Sequence, residues 1–170
     1  MVYLYPEMSR KIEIKAELTE FDSENELSAA DRELVSAARK STQMAYAPYS
    51  HFQVGAALRL DSGDVISGNN QENASYSLGL CAERVALFWA GANHPGKKIT
   101  TMAITAYSAN FAINRPIAPC GACRQAIAEY EHRYNQPIRL ILVGASGKVW
   151  ITDSVNQLLP LQFTAEDLTK

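Results

Sequence analysis

The hydrophobic and polar positions of this 170-residue chain change period several times, and each change marks an element. In KIEIKAELTEF, residues 11–21, Ile12, Ile14, Ala16 and Leu18 alternate with Lys11, Glu13, Lys15 and Glu17. Two-residue alternation sends neighbouring side chains to opposite faces, so the stretch predicts a half-buried strand. DSENE breaks the pattern. Ser28 followed by Asp31 is a variant capping box, opening a helix expected to run to about Ala45 and to stop before Pro48.

FQVGAALRL alternates Phe52, Val54, Ala56, Leu58 and Leu60, and DSG turns it into DVISG, a predicted hairpin. CAERVALFWAGA reads as a helix of strong helix formers, and TTMAITAYS as a buried strand. GACRQAIAEYEHRY predicts a further amphipathic helix ended by Pro137, and IRLILVGASGKVWIT two strands around a Gly-rich turn. Short helical turns capped by Ser154 and Thr164 close the chain. Strands and helices mixed in this order imply an α/β domain, a single sheet covered by helices.

Composition narrows the function more than the fold. With 47% hydrophobic and 20% charged residues the chain is an ordinary globular protein, long enough for one well-buried core. A net charge of −2 and no cluster of basic residues leave no footprint for nucleic acid or an anionic membrane. A small molecule is the expected partner. The N-terminal MVYLYPEMSRKIEIK lacks the basic and apolar regions of a secretory signal, and three cysteines cannot form a closed disulfide set. A reduced, cytoplasmic protein is expected.

Two of those cysteines lie in APCGACRQ, residues 118–125. Alone, the Cys120–Cys123 pair suits a redox couple, half of a structural zinc site or part of a catalytic one. Cys81 opens one predicted helix as Cys120 and Cys123 open another, and helix N-termini favour thiolates. If all three bind one Zn²⁺, the set is one ligand short of a closed site, and none of His51, His94 and His132 stands in ligand-like spacing. Three protein ligands leave a place for water, the catalytic pattern. Arg84 and Arg124, in the same first turns, add positive charge that offsets the thiolates. Glu83, two residues after Cys81, suits a proton acceptor for that water, although a glutamate in a helix's first turn is common for the dipole alone.

Cys81-Ala82-Glu83 followed by Pro119-Cys120-x-x-Cys123 resembles the signature of zinc-dependent base deaminases. AYAPYSHFQVGAAL, NNQENASYSLGLCAER, APCGACRQ and LLPLQFTAEDL extend the resemblance, over residues 40 to 168, to the small cytidine deaminases with three cysteine ligands. That resemblance implies a three-layer sandwich, one mixed sheet of about five strands with helices on both faces. It implies one Zn²⁺ on Cys81, Cys120 and Cys123, Glu83 as proton shuttle, and Arg84 hydrogen-bonded to ligand sulfurs. Phe52 would pack on the pyrimidine, Asn70 and Glu72 would bind sugar hydroxyls, and backbone near Ala82 would read the base edge. Ala74, Tyr76 and Phe163 would act across the interfaces of a homotetramer.

The implied reaction is deamination of cytidine and 2′-deoxycytidine to the uridines. Alternatives are a deaminase of another cytosine nucleoside such as blasticidin S, or a zinc-stabilised module without catalysis. A disulfide oxidoreductase leaves Cys81 unexplained, and a polynucleotide editor lacks a cationic path. Two features depart from the family. Gln71 stands where an apolar residue is usual, and residues 1–27, ahead of the deaminase-like domain of residues 28–170, have no counterpart in the shortest members. That extension is expected to add an edge strand or a subunit-bridging arm.

Overall fold

Alternation in the central strands sorts their side chains onto two faces, and a helix layer covers each. The computed structural model describes residues 10–145 and 147–168; the beginning of the N-terminal stretch and one position of the Gly-rich turn lie outside the described residues. The elements are β1 (Thr19–Phe21), α1 (Ala29–Thr42), β2 (Phe52–Leu60), β3 (Val65–Asn69), α2 (Ala82–Asn93), β4 (Ile99–Ser108), α3 (Gly121–Tyr134), β5 (Arg139–Val143) and β6 (Val149–Thr152). The six strands form one sheet in the order β1-β6-β5-β4-β2-β3. Only β4 and β5 run parallel, as a strand–helix–strand crossover through α3 requires.

On one face Leu58, Met102, Ile104, Leu140 and Leu142 pack with Leu87 and Ala90 of α2 and Ile127 of α3. On the other, Ala57, Ala103, Ile141 and Val143 meet Leu34, Val35 and Ala38 of α1. Each fully buried leucine contributes about 1.5–3 kcal/mol relative to exposure. Arg139 of β5 adds a bidentate pair to Asp31 of α1 at 2.8 and 3.2 Å. The three-layer sandwich agrees with the sequence, with six strands in place of about five.

The sixth strand comes from the N-terminal extension, and it is shorter than the alternation suggests. Only Thr19, Glu20 and Phe21 pair, with Ile151, Trp150 and Val149. Strand β6 ends at Thr152, so in this register residues 11–17 run past its end, and Leu18 is not paired either. Ile12 is consequently 79% exposed and Ile14 48%. Glu20 secures the short strand by accepting from Lys148 Nζ at 2.8 Å and Trp150 Nε1 at 2.6 Å.

Helix α1 opens as expected, Ser28 Oγ accepting from Asp31 N at 3.1 Å. It ends at Thr42, before the predicted Ala45, where the Ser41 and Thr42 hydroxyls donate back to Ala38 O and Arg39 O, both at 2.8 Å. A reciprocal box forms instead inside DSENE: Ser23 Oγ accepts from Asn25 N at 3.2 Å and Glu26 Oε1 from Ser23 N at 2.9 Å. Ser154 caps its turn by accepting from Asn156 N at 3.0 Å. At the last turn, Thr164 N and the Thr164 hydroxyl donate to Asp167 Oδ2 at 2.8 and 3.4 Å. Among the described residues no helix is long and apolar enough to cross a membrane.

One glycine fixes where α2 begins. A Cβ on Gly68 of β3 would lie 2.6 Å from Ala86 N and 2.7 Å from Ala82 O, so only a bare backbone lets the first turns of α2 lie against the sheet. Gly68→Ala is expected to cost about 1–3 kcal/mol through overpacking against backbone atoms that cannot yield. Thermal melting checks this. A melting temperature within about a degree of the parent's would contradict the close approach, for each kcal/mol shifts a domain of this size by roughly 2–4 °C.

Candidate metal centre and adjoining cavity

Helices α2 and α3 begin with the same device, a cysteine in extended geometry at the N-cap. Cys81 has φ −71° and ψ 154°, Cys120 has φ −67° and ψ 168°, and neither helix has a side-chain capping bond. Cys123 follows one turn inside α3 and is fully buried. The positive ends of both helix dipoles thus converge on one cluster of sulfurs. Cys120 Sγ lies 3.7 Å from Cys81 Sγ and 3.4 Å from Cys123 Sγ, and all three sulfurs lie within 4.8 Å of one another.

Cys81 and Cys123 do not ionise independently. The hydrogen bond with Cys123, helped by Arg84 and Cys120 against the effect of burial, lowers Cys81 to about 5. The same bond, burial, and the charges of Glu83 and Cys81 push Cys123 strongly upward. Ionisation of Cys81 is therefore favoured and that of Cys123 opposed. Zinc–sulfur bonds of about 2.3 Å in a tetrahedron space the sulfurs by roughly 3.8 Å, which suits the cluster. The donor set fits one Zn²⁺ with a tetrahedral position left over.

Beside the sulfurs, the first turn of α2 carries Glu83 and Arg84. Glu83 is 3% exposed, and its Oε2 is buried with no hydrogen-bond partner. Burial, and after it the charge on Cys81, raises its pKa above the usual carboxylate value. For Arg84, burial acts against the charged form, but the hydrogen bond with Cys81 and the charges of Cys123 and Cys81 hold it firmly protonated. Its Nη2 also donates to Gly79 O at 3.4 Å.

These groups form the floor of a cavity of about 680 Å³. Phe52, Asn70, Glu72 and Tyr76 line it together with Cys81, Glu83, Arg84 and Cys120. Phe52, at the start of β2, stacks with Phe111 at a centroid distance of 6.1 Å. Asn70 Oδ1 accepts from Val54 N at 2.7 Å and its Nδ2 donates to Phe52 O at 2.9 Å, which aligns the side chain along the end of β2. Glu72 Oε2 accepts from Tyr49 N at 2.9 Å and Ser50 N at 3.3 Å, while Oε1 accepts from the Ser50 hydroxyl. Burial works against its charge, but these bonds hold its pKa below the ordinary value.

A family model described as the cytidine and deoxycytidylate deaminase zinc-binding region matches residues 28–135. The chain belongs to the cytidine and deoxycytidylate deaminase family. It is similar to a cytidine deaminase of Halalkalibacterium halodurans, 42% identical over an alignment of 143 positions that covers 79% of this chain and 95% of that protein. A blasticidin-S deaminase of Bacillus cereus is 30% identical over 141 residues, 81% of this chain and 95% of that protein. Among solved structures, a cytidine deaminase of Burkholderia pseudomallei superposes with a TM-score of 0.68 at 42% identity, covering 78% of this chain and 98% of that one.

Several sequence expectations for this deaminase meet in one place, and others do not. Cys81, Cys120, Glu83, Arg84, Phe52, Asn70, Glu72 and Tyr76 line the cavity, the buried Cys123 completes the sulfur cluster, and the backbone of the buried Ala82 lies between ligand and carboxylate. Ala74 and Phe163 are exposed and do not line this cavity. Arg124, in the first turn of α3, uses its guanidinium on backbone carbonyls, donating to Pro119 O at 2.9 Å and Leu158 O at 2.8 Å. Gln71 lines the cavity, its Nε2 donating to Asn69 Oδ1 at 2.5 Å while its backbone pairs with Leu80.

Sequence reasoning passed over Ser50, Val54, Ile117 and Ala118, which also line the cavity. Ala118 adjoins the Pro119-Cys120 motif, a usable signal, whereas Val54 is indistinguishable in sequence from a core position of its strand. Replacing the buried ligand, Cys123→Ser, is expected to reduce bound zinc to a small fraction of the parent's, with a lower melting temperature from the lost ligand stabilisation. Metal analysis of the purified variant checks this; parental zinc content would remove Cys123 from the ligand set.

Proposed function

We propose that this protein hydrolyses the exocyclic amino group of free cytidine and 2′-deoxycytidine, giving uridine or 2′-deoxyuridine and ammonia. The observation that carries the reading is Glu83 Oε2, buried without a partner on a residue that lines the same cavity as Cys81 and Cys120 of the sulfur cluster. Leaving a carboxylate oxygen unsatisfied costs about 1–3 kcal/mol or more, a cost that a proton-transfer role accounts for. Zinc held by Cys81, Cys120 and Cys123 would supply the Lewis acidity that makes water nucleophilic near neutral pH.

The protein's own residues then manage protons and orientation. Glu83 takes one proton from water as the water oxygen bonds to C4, and holds it readily because burial favours the neutral carboxyl. It passes that proton to ring N3. The second proton of the former water goes, again through Glu83, to the amino nitrogen, and the C4–N bond breaks to release ammonia. Phe52 provides an apolar surface for the ring, and the backbone at Ala82 addresses its edge. Asn70 and Glu72 keep unused hydrogen-bonding capacity for sugar hydroxyls, Glu72 as a pre-ordered anion.

Ala74, Tyr76 and Phe163 are exposed in the single chain, and their assignment to neighbouring sites of a homotetramer completes the proposal. Reduced thiols, which the metal requires, suit the cytoplasm. The similarity to a blasticidin-S deaminase supports a second reading, in which another cytosine nucleoside is the preferred substrate. Assays of cytidine and blasticidin S side by side separate the two: turnover of the antibiotic alone would transfer the proposal to that reading.

The Glu83→Gln variant is expected to keep its zinc and lose about 10²–10⁴-fold in kcat, the scale of general acid–base catalysis. Zinc analysis and ammonia release, measured on the same preparation, check this together. Near-parental turnover with zinc retained would overturn the role of Glu83.

A further inference from the structure

The three sulfurs are not held equally. Cys123 is fully buried, whereas Cys120 is exposed. Next to it, a Cβ added at Gly121 would meet no heavy atom within 4 Å, so among the described residues nothing packs on Gly121. Helix α3 also starts without a side-chain capping bond. Packing and capping are the usual means of fixing a helix N-terminus, and neither acts on Cys120.

Arg124 grips this corner. Its Nε donates to Pro119 O at 2.9 Å, the carbonyl of the peptide that leads into Cys120. Its Nη1 donates to Leu158 O at 2.8 Å, so one rigid plane joins the ligand loop to the C-terminal segment. That segment is itself anchored to the far end of α3. Glu131, 9% exposed, accepts from Val155 N at 3.1 Å through Oε1 and from Ser154 Oγ at 2.7 Å through Oε2. Gln125 holds it again by donating to Phe163 O at 2.7 Å. Leu158 is thus a fixed post, and Arg124 is the tie between it and the peptide ahead of Cys120.

We propose that Arg124 is a positioning residue for the metal ligand Cys120, acting through the geometry of the Pro119–Cys120 peptide and not through its charge. The inference rests on the three-cysteine zinc reading above. Two donors at fixed angles on a planar group are needed to bridge two carbonyls, and a lysine ammonium on a flexible stem does not reproduce them. A metal ligand whose outer contact is lost typically binds its metal 10–100-fold less well.

The test compares zinc-loaded full-length parent, Arg124→Lys, Arg124→Gln and Gln125→Ala. Zinc per chain, the rate of zinc release to a chelator, and the visible absorption of the Co²⁺-substituted proteins are measured. Both Arg124 variants are expected to release zinc on the order of ten-fold faster or more, with the same shift in the cobalt bands. Gln125→Ala, which removes one anchor of the C-terminal segment but keeps both Arg124 bonds, is expected to change zinc release and the cobalt bands less than either Arg124 variant. Parental release and spectra in Arg124→Lys alone would overturn the geometric role in favour of charge. Parental values in both Arg124 variants, with only a lower melting temperature, would reduce Arg124 to an ordinary structural residue. Should Arg124→Gln fail to fold, Arg124→Lys decides. A parent protein that holds no zinc overturns the metal reading itself, an outcome distinct from the others.

Discussion

Three sulfurs brought within 4.8 Å of one another place a condition on the rest of the molecule. As thiols they are weak partners, and as thiolates they repel, so the cluster is stable only with positive charge at its centre and around it. Two helix N-termini and the Arg84 guanidinium supply part of that charge, and a divalent cation supplies the remainder. Both helices must therefore begin at one point although 39 residues separate Cys81 from Cys120. The sheet meets this demand by carrying α2 and α3 on the same face, over a shared core of Leu87, Ala90 and Ile127. Gly68 lets α2 settle close enough to β3 for its first turn to reach the cluster.

The same packing isolates Glu83. A carboxylate in the first turn of an exposed helix would keep water on both oxygens and titrate near its ordinary value. Here the layer contacts that bury Ala82 and Ala86 on either side also bury Glu83. The core thus sets the protonation behaviour of the group proposed to move protons. Folding energy from apolar contacts offsets an unsatisfied carboxylate oxygen that no structural purpose requires.

Much of this was legible in the chain. Both ligand-bearing helices begin where the cysteines and glycines place them, and the buried strands follow their alternation, since two periods and two caps suffice to specify such elements. Elements that depend on a partner were less legible. The alternation of residues 11–21 contains no information on the length of the strand it would join, and β6, which ends at Thr152, pairs with it at three positions only. Arg124 shows the same limit at the site: its place in the first turn of α3 suggested the sulfurs, but the acceptor that fixes it, Leu158 O, lies 34 residues away. Glu83 was readable only because a motif accompanied it; its burial arises from tertiary packing.

The cavity wall raises a related point about specificity. Asn70 and Glu72, proposed to meet the sugar, are already committed to the fold: Asn70 bonds the backbone at both Phe52 and Val54, and Glu72 holds the turn at Tyr49 and Ser50. That turn leads into His51, whose φ of 53° is a left-handed conformation uncommon for a residue other than glycine, and then into Phe52. The bonds that hold this conformation therefore also fix where the aromatic ring and the two polar groups stand relative to one another. Binding a sugar would add contacts to groups that folding has already ordered, so little conformational entropy would remain to be lost on binding. Recognition then depends on the same hydrogen bonds that keep residues 47–52 folded, and a change of substrate would require rebuilding that turn rather than exchanging a single contact.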